Sequence, residues 1–153
     1  MLVGVISDTH GLMRVEALDA LRGSELIIHA GDVGRPDVLE QLRAIAPVFA
    51  VRGNVDTQDW ADELPDTQIV SVGAHKFYVL HDISQLSIDP VQAGIAAVIF
   101  GHSHKPSTKT RDGVLYLNPG SAGPRRFNLP ICLARVLVSG KCIDPAIVDL
   151  NVH

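Results

Sequence analysis

The sequence predicts an α/β sandwich of two mixed β-sheets flanked by helices, and three observations support this fold class. The first half alternates short apolar runs with helical repeats, a pattern typical of parallel strands joined by right-handed crossovers. The second half contains paired apolar runs separated by turn residues, which predict hairpins. With 153 residues, of which 46% are hydrophobic, the chain can bury one core, and we expect a single domain over residues 1–153.

Three strands and two helices are predicted in the first half. Apolar, β-branched runs at residues 2–7, 25–32 and 47–54 each end in polar residues, as buried strands commonly do. Apolar residues recur at helical spacing over residues 12–23, which predicts the first helix. A proline near the start and a single apolar face predict the second helix over residues 35–45.

The second half is predicted to consist mainly of strands. Residues 66–82 and residues 131–150 each have the pattern of a hairpin, with two apolar runs around a glycine-containing turn. Single strands are expected at residues 96–100 and, after an Asp-Gly turn, at residues 114–118. A short helix is predicted over residues 84–93, between the first hairpin and the strand that follows it.

Composition and charge exclude several classes of protein. The net charge of −4 argues against a protein that coats nucleic acid, although a nucleotide remains compatible as a substrate. No apolar run approaches the roughly 20 residues that span a bilayer, and no basic segment precedes the apolar N-terminus, so we expect a cytoplasmic protein without a membrane partner. Cys132 and Cys142 lack metal-binding spacing and are expected to be reduced. A homo-oligomer is left open.

Polar residues gather where the predicted strands end. Because the carboxyl ends of parallel strands meet at one edge of a sheet, five separate segments are expected to bring their side chains together. Two aspartates, one asparagine and four histidines without a thiolate suit first-row divalent metal ions, and seven ligands are more than one ion needs. The candidate ligands are Asp8, His10, Asp32, Asn54, His81, His102 and His104.

The spacing of individual residues supports the same site. His102 and His104 are one residue apart, so in extended backbone both side chains would point to the same side and could hold one object. Gly31, Gly53 and Gly101 each precede a candidate ligand. The absence of a Cβ at these positions permits a tight bend and a close approach to the backbone.

Taken in order, the segments DTH, GD, GNVD, H and GHSH resemble the signature of the calcineurin-like metallophosphoesterases. The opening VISDTHG and the segment YLNPGSAGPRR are similar to the smallest members, which are single-domain bacterial and archaeal phosphodiesterases. The same features resemble the retromer scaffold subunit of eukaryotes. The resemblance covers the whole chain and implies a four-layer αββα sandwich, the metallo-dependent phosphatase-like fold, with a dinuclear metal site.

The resemblance also implies how the candidate ligands are divided between two divalent ions. The first ion would be bound by Asp8, His10 and His104, the second by Asn54, His81 and His102, and Asp32 would bridge both. The residues implied in catalysis are Asp32, His10, Asn54 and His81. Manganese is the expected ion, with iron, nickel, zinc and magnesium as alternatives. The implied reaction is hydrolysis of a small phosphate ester, a diester in preference to a monoester, by a hydroxide that bridges the ions.

Two positions depart from the pattern of the family. Larger members have a histidine after the motif asparagine, assigned as the general acid, whereas this chain has Val55. Because valine cannot transfer a proton, leaving groups of low pKa are expected to be strongly favoured. Asp82 stands where the family usually has glycine, and two roles remain open for it. It could accept a hydrogen bond that orients His81, or it could narrow the pocket.

Some polar residues have a structural interpretation in preference to a functional one. His29 is predicted to be a buried, hydrogen-bonded residue, Asp56 to hold the loop of Asn54, and Arg52 to form a salt bridge pointing away from the site. For the segment that carries Asn118, Ser121, Arg125 and Arg126, we considered a loop packed beneath the site, and for the two arginines also a contact with phosphate.

The function itself has alternatives. A non-catalytic scaffold with the same fold would bind proteins instead of a substrate, and a monoester-specific phosphatase would use the same site. A cyclic nucleotide, a nucleotide diester and a glycerophosphodiester all remain open as substrates.

Overall fold

Ten strands and two α-helices make up the fold in this computed structural model, which describes residues 1–152. His153, the last residue of the predicted domain, lies outside the described residues. In chain order the strands are β1 (Leu2–Ile6), β2 (Leu26–His29), β3 (Val48–Ala50), β4 (Thr67–Val72), β5 (His75–Leu80), β6 (Ala97–Ile99), β7 (Ser107–Arg111), β8 (Val114–Asn118), β9 (Cys132–Ser139) and β10 (Cys142–Asp149). The helices are α1 (Val15–Leu21) and α2 (Pro36–Arg43).

The strands form two mixed sheets of five strands each. In the first sheet, with the order β10-β9-β1-β2-β3, the strands β1, β2 and β3 are parallel and β9 pairs with β1 in the antiparallel direction. In the second sheet, with the order β4-β5-β6-β8-β7, the strands β5, β6 and β8 are parallel between antiparallel edges. The predicted fold class, a sandwich of two mixed sheets, is therefore confirmed.

Apolar side chains fill the space between the sheets and the space under the helices. Val5 and Ile28 of the first sheet pack with Phe77 and Ile99 of the second, and all four are fully buried. On the outer face of the first sheet, the two helices bury a second cluster that includes Leu21 of α1. This packing fixes the first sheet between two apolar layers, as its near-continuous hydrophobic strands require.

The first helix begins later than predicted. Helix α1 starts at Val15, because residues 8–12 form a tight loop in which the amide of Leu12 donates to the carbonyl of Thr9 at 2.9 Å. Gly11 in this loop has a φ of 83°. Apolar spacing continues through the loop, so the sequence pattern alone does not reveal where the helix begins.

The helix predicted over residues 84–93 is wrong. Its place is taken by one short 3-10 turn, Ile83–Gln85, followed by bends and turns. Pro90 cannot donate in a helix interior and disfavours helical backbone at the residue before it. The side chain of Asp89 accepts from the amide of Val91 at 3.1 Å and so stabilises a turn there. The outer face of the second sheet is consequently covered by an irregular segment instead of a helix.

One strand was missed. Strand β7 is polar throughout, and four of its five residues are exposed. It is the outermost strand of its sheet and pairs only with β8. An edge strand with both faces toward solvent lacks the apolar alternation that identifies strands, and its threonines were the remaining signal.

Two further predictions concern the cellular compartment of the protein. Within residues 1–152, every helix is too short or too polar to cross a lipid bilayer. The cytoplasmic location stays a prediction. Both cysteines are free, with Cys132 buried and Cys142 exposed.

Candidate metal centre

The strand ends of both sheets meet at one place. Asp8 follows β1 and its amide donates to the carbonyl of Gly31, after β2, at 3.0 Å. From the second sheet, the amide of Gly101 donates to the carbonyl of His81 at 2.9 Å. The amide of His102 reaches across the sandwich to Asp8 Oδ2 at 3.1 Å. Backbone hydrogen bonds therefore join the loops that carry the candidate ligands.

Left-handed backbone is concentrated at the candidate ligands. Among residues 1–152, eight residues other than glycine have positive φ, and five of them are candidates. These five are Asp8 (57°), His10 (48°), Asp32 (56°), His102 (71°) and His104 (64°). Each such conformation costs on the order of 1 kcal/mol or more and persists only where surrounding contacts impose it. The positive φ of His102 and His104 also shows that the prediction of extended backbone at these two residues is wrong.

Two carboxylate oxygens form the centre of the site, and three imidazole nitrogens surround them. Asp8 Oδ1 lies 3.8 Å from His10 Nε2, 3.8 Å from His81 Nε2 and 3.4 Å from His104 Nε2. Asp32 Oδ2 lies 3.6 Å from His10 Nε2 and 3.2 Å from His81 Nε2. Two groups of three residues could each hold a metal ion, namely Asp8 with His10 and His104, and Asp8 with Asp32 and His81.

The spacing and the hydrogen bonding of these atoms fit a metal ion. Ligand atoms about 2.1 Å from one first-row ion lie about 3.0–3.4 Å from each other, close to the separations observed. Asp8 Oδ1 and His10 Nε2 are buried and have no hydrogen-bond partner among the described residues. The other oxygen of Asp8 is already bonded to Ser7 Oγ at 2.7 Å. Buried polar atoms without partners are costly, and a cation between them would remove that cost.

The ring of His81 is oriented with its Nε2 toward the carboxylates. Its Nδ1 donates to the carbonyl of Ala30 at 2.7 Å, which leaves Nε2 as the atom able to bind a metal. This bond corrects one role considered for Asp82, which does not orient His81.

The electrostatics of the centre favour a cation. Burial lowers the pKa of His81, but its hydrogen bond with Asp32 and the charges of Asp8 and Asp32 outweigh burial and raise that pKa above its usual value. Burial also raises the pKa of Asp32, but hydrogen bonds from His81 and the Val55 amide outweigh it and lower the pKa to about 2. Both shifts favour a proton on His81 beside ionised Asp32. A metal ion bound at His81 Nε2 would take the place of this proton.

The side-chain amide of Asn54 lies against Asp32 and His81. With its nitrogen turned toward them, it would donate to both oxygens of Asp32, at 3.2 and 3.3 Å, and to His81 Nε2 at 3.1 Å. With its oxygen turned toward them, it would add an oxygen ligand to a cation held by Asp32 and His81. The position of Asn54 therefore fits its predicted place beside these two residues.

His102 is the outermost of the candidates. Its side chain is 47% exposed, whereas that of His104 is 3% exposed. The His102 ring lies edge-on to the ring of His81 at 5.2 Å, and its Nε2 is 3.8 Å from Asp82 Oδ2. The two histidines of the GHSH segment therefore occupy different environments, His104 next to Asp8 and His102 next to His81.

Two glycines allow the strand ends to approach each other. A Cβ added to Gly53 would overlap the amide nitrogen and Oδ1 of Asp32, and one added to Gly101 would overlap Ser7 Oγ. Because each contact involves a residue that shapes the centre, glycine is required at both positions for the close approach of backbone and side chain.

Residues behind the ligands hold the loops in place. Asp56 accepts hydrogen bonds from the amides of Val33, Gly34 and Gly53, which agrees with its predicted structural role. Two residues with no predicted metal role also contribute. Ser121 Oγ donates to the carbonyl of Asp8 at 3.0 Å. The side-chain nitrogen of Asn118 donates to the carbonyl of Gly101 at 3.1 Å. Both residues belong to the Gly/Pro-rich segment for which packing beneath the site was one of the interpretations, and these bonds agree with it.

A cleft of about 420 Å³ opens beside His81 and His102. Arg52 lines it, which corrects the expectation that this side chain points away, although its guanidinium does pair with Asp66 at 3.0 Å. Asp82 also lines the cleft, in agreement with the second role considered for it. Arg125 donates to the carbonyls of Leu129 and Val152 and so belongs to a packed loop.

His29 is a buried neutral histidine beneath the centre. Its Nδ1 accepts from the amide of Gly31 at 3.1 Å, so its Nε2 donates to Thr9 Oγ1 at 3.0 Å. Burial lowers the pKa of His29 from 6.5 to about 4. The prediction of a buried, hydrogen-bonded residue is confirmed.

The pKa of His29 predicts a loss of stability in acid. Since the unfolded chain binds a proton near pH 6.5 and the folded protein only near pH 4, stability is complete above pH 6.5 and falls between these values. We expect His29 to lower the free energy of unfolding by about 2 kcal/mol between pH 7.5 and pH 5. Urea unfolding at both pH values measures this loss. The variant His29→Gln cannot be protonated at this position. Between the two pH values its free energy of unfolding should therefore fall by about 2 kcal/mol less than that of the wild type. Equal losses in both proteins would contradict the assignment of the low pKa to His29.

A sandwich of two mixed sheets with carboxylates and imidazoles at the strand ends is the architecture of the metallo-dependent phosphatase-like class. The family described as the calcineurin-like phosphoesterase superfamily domain matches residues 1–141, and the chain belongs to this family.

Individual proteins are similar over most of the chain. A probable metallophosphoesterase from Methanothermobacter thermautotrophicus is 33% identical over 160 residues, covering 97% of this chain and 92% of the relative. A phosphodiesterase from Methanocaldococcus jannaschii is 26% identical over 138 residues, covering 78% of this chain and 83% of the relative. The structure of Vps29 from Entamoeba histolytica in complex with Zn²⁺ has a TM-score of 0.74 and 25% identity, and the match covers 99% of this chain and 100% of that one.

Proposed function

We propose that this chain is a divalent-metal-dependent phosphoesterase that hydrolyses phosphodiesters at a dinuclear centre, with residues 1–153 as its single domain. One observation carries the proposal. Asp8 Oδ1 and Asp32 Oδ2, both buried, are surrounded by imidazole nitrogens at 3.2–3.8 Å in a member of the calcineurin-like family. The similarity to a phosphodiesterase from Methanocaldococcus jannaschii supports the diester as substrate.

The proposed ligands divide into an inner and an outer group. Asp8, His10 and His104 would hold the inner ion, Asn54, His81 and His102 would hold the outer ion, and Asp32 would contribute to both. The inner group is supported by mutual separations within 4.8 Å, and the outer group by the position of the Asn54 amide beside His81 and of the His102 ring 5.2 Å from that of His81. A first-row divalent ion is proposed, with manganese as the expected one, because mixed oxygen and imidazole ligands suit this group of metals.

Side chains of the protein would position the water and the phosphate ester on which the ions act. When bound, two divalent ions supply Lewis acidity that activates water and neutralises charge on the phosphoryl oxygens. Asp32, held by the amide of Val55 at 3.0 Å, keeps one carboxylate oxygen directed at His10 and His81. The cleft beside His81 would place the ester next to the proposed outer ligands His81 and His102.

Val55, which follows Asn54, predicts that the rate of hydrolysis depends strongly on the pKa of the leaving group. Val55 is 44% exposed and cannot donate a proton to a departing alkoxide. We expect manganese-stimulated hydrolysis of aryl methyl phosphodiesters to slow by about ten-fold or more when the leaving-group pKa rises from about 7 to about 10. Initial rates for a series of substituted phenols, with and without manganese, measure this slope. A rate independent of the phenol would contradict it, and no stimulation by manganese would contradict the proposed function.

A second candidate is a scaffold that uses the same fold to bind other proteins. It is favoured by the similarity to Vps29 over nearly the whole chain. The two candidates differ in turnover, because a scaffold would bind manganese without hydrolysing any aryl diester or monoester. The ratio of diester to monoester turnover then separates the phosphodiesterase from a monoester-specific phosphatase.

A further inference from the structure

We propose that Asp82 is a specificity-determining residue, whose fixed negative charge in the cleft selects phosphodiesters over phosphomonoesters. The inference rests on the proposed function and gives it a physical basis. It concerns a residue outside the proposed ligand set, in the loop that follows β5.

The carboxylate of Asp82 is held in one place. Its Oδ1 accepts hydrogen bonds from the amide and the hydroxyl of Ser84, at 3.0 and 2.8 Å. Its Oδ2 is left facing His102 Nε2, 3.8 Å away, and the side chain is 28% exposed. Because these bonds restrict rotation, the charge stays beside the proposed outer ligands instead of turning into solvent.

No lysine or arginine pairs with Asp82 on the wall of the cleft. The other Asp and Arg side chains that line it are Asp66 and Arg52, which pair with each other at 3.0 Å. The imidazoles on the wall belong to His81 and His102, which are proposed metal ligands and would be neutral when they bind an ion. Asp82 is therefore the acidic side chain of the described cleft that has no arginine or lysine partner.

One negative charge discriminates between the two classes of ester. Near pH 8 a phosphomonoester carries two negative charges and a phosphodiester one, so repulsion by Asp82 is about twice as large for the monoester. Divalent ions in the centre act in the opposite direction, since they attract the dianion more strongly. An element that offsets this attraction would favour diesters, and Asp82 lines the cleft beside the proposed outer ligand His102.

The experiment compares substrates and variants in the manganese-loaded protein at pH 8. We measure kcat/KM for bis(p-nitrophenyl) phosphate and for p-nitrophenyl phosphate with the wild type, Asp82→Asn and Asp82→Glu. Asp82→Asn should raise the monoester-to-diester ratio of kcat/KM by about ten-fold, and Asp82→Glu, which keeps the charge, should leave the ratio near that of the wild type. An unchanged ratio in Asp82→Asn would overturn the proposal.

Asp89→Asn is the matched control. Asp89 accepts amide hydrogen bonds in the same segment, from Val91 and Gln92, but does not line the cleft. The ratio should be unchanged in this variant, and an equal rise would show that the effect is structural and would overturn the proposal. If Asp82→Asn folds poorly, Asp82→Ser, which retains an acceptor for the turn, takes its place.

Binding separates this inference from the proposed function. Isothermal titration of the manganese-loaded protein with inorganic phosphate and with dimethyl phosphate needs no turnover. Asp82→Asn should tighten binding of inorganic phosphate by about ten-fold and of dimethyl phosphate by less. If Asp82→Asn tightens phosphate binding in this way but neither ester is hydrolysed, the inference is supported and the proposed phosphoesterase activity is contradicted. If the esters are hydrolysed but Asp82→Asn changes the affinity for both ligands equally, the proposed phosphoesterase activity is supported and the inference is overturned.

Discussion

Replacing Asp32 by asparagine is expected to lower manganese-stimulated hydrolysis of an aryl phosphodiester by about 10³-fold. Its Oδ2 lies 3.2 Å from His81 Nε2 and 3.6 Å from His10 Nε2. An amide in this position removes the negative charge between the two proposed ion sites while keeping the shape of the side chain. Steady-state rates at saturating manganese measure the loss, and the number of ions bound per chain should fall from two.

The variant His104→Ala tests the other side of the same centre. It removes a buried ring 3.4 Å from Asp8 Oδ1 and should reduce activity by a similar factor. His75→Ala is the control, because His75 bonds to the carbonyl of Gly140 in a distant hairpin. Activity of His75→Ala should stay within about two-fold of the wild type. Unchanged hydrolysis in both Asp32→Asn and His104→Ala would contradict the proposed centre.

Replacing Gly53 by alanine is expected to weaken manganese binding by about 10- to 100-fold without altering any ligand. The added methyl group would overlap the amide nitrogen and Oδ1 of Asp32. Relief of this overlap must move either the strand end or the carboxylate, so Asp32 Oδ2 leaves its position between His10 and His81. Isothermal titration with manganese measures the change in affinity.

Gly94→Ala separates this effect from a general loss of stability. An added Cβ at Gly94 meets nothing within 4 Å, but its φ of 72° disfavours alanine. This variant should lose on the order of 1 kcal/mol of unfolding free energy and bind manganese as the wild type does. Wild-type affinity in Gly53→Ala would show that the close approach to Asp32 is not needed for the site.

Much of the architecture follows from local pattern. The parallel unit of β1, β2 and β3 is recognisable because each strand is a short buried run and each crossover has a single apolar face. Prediction from apolar periodicity failed for two segments that are not buried in a regular pattern. Strand β7 is exposed on both faces, and the segment around Pro90 has apolar residues that pack on the second sheet without forming a helix.

The candidate ligands are visible in the sequence because strand ends of a parallel sheet share one edge. Residue type and order were sufficient to select Asp8, Asp32 and His104 for one site. Their conformation was not predictable, since left-handed backbone at an aspartate or histidine is unfavourable locally and is imposed by contacts with distant loops. The amide of His102, for example, is bonded to a carboxylate 94 positions away.

The sequence by itself determined the fold class, the strands that carry the polar residues and the chemical type of the site, because these depend on periodicity and residue type. Only the tertiary structure decided which oxygen of Asp8 is free, how deeply each histidine is buried, and that Asp82 faces the cleft instead of orienting His81. These features depend on distances between residues far apart in the chain. Such distances are set by the packing of one sheet on the other, which no local pattern records.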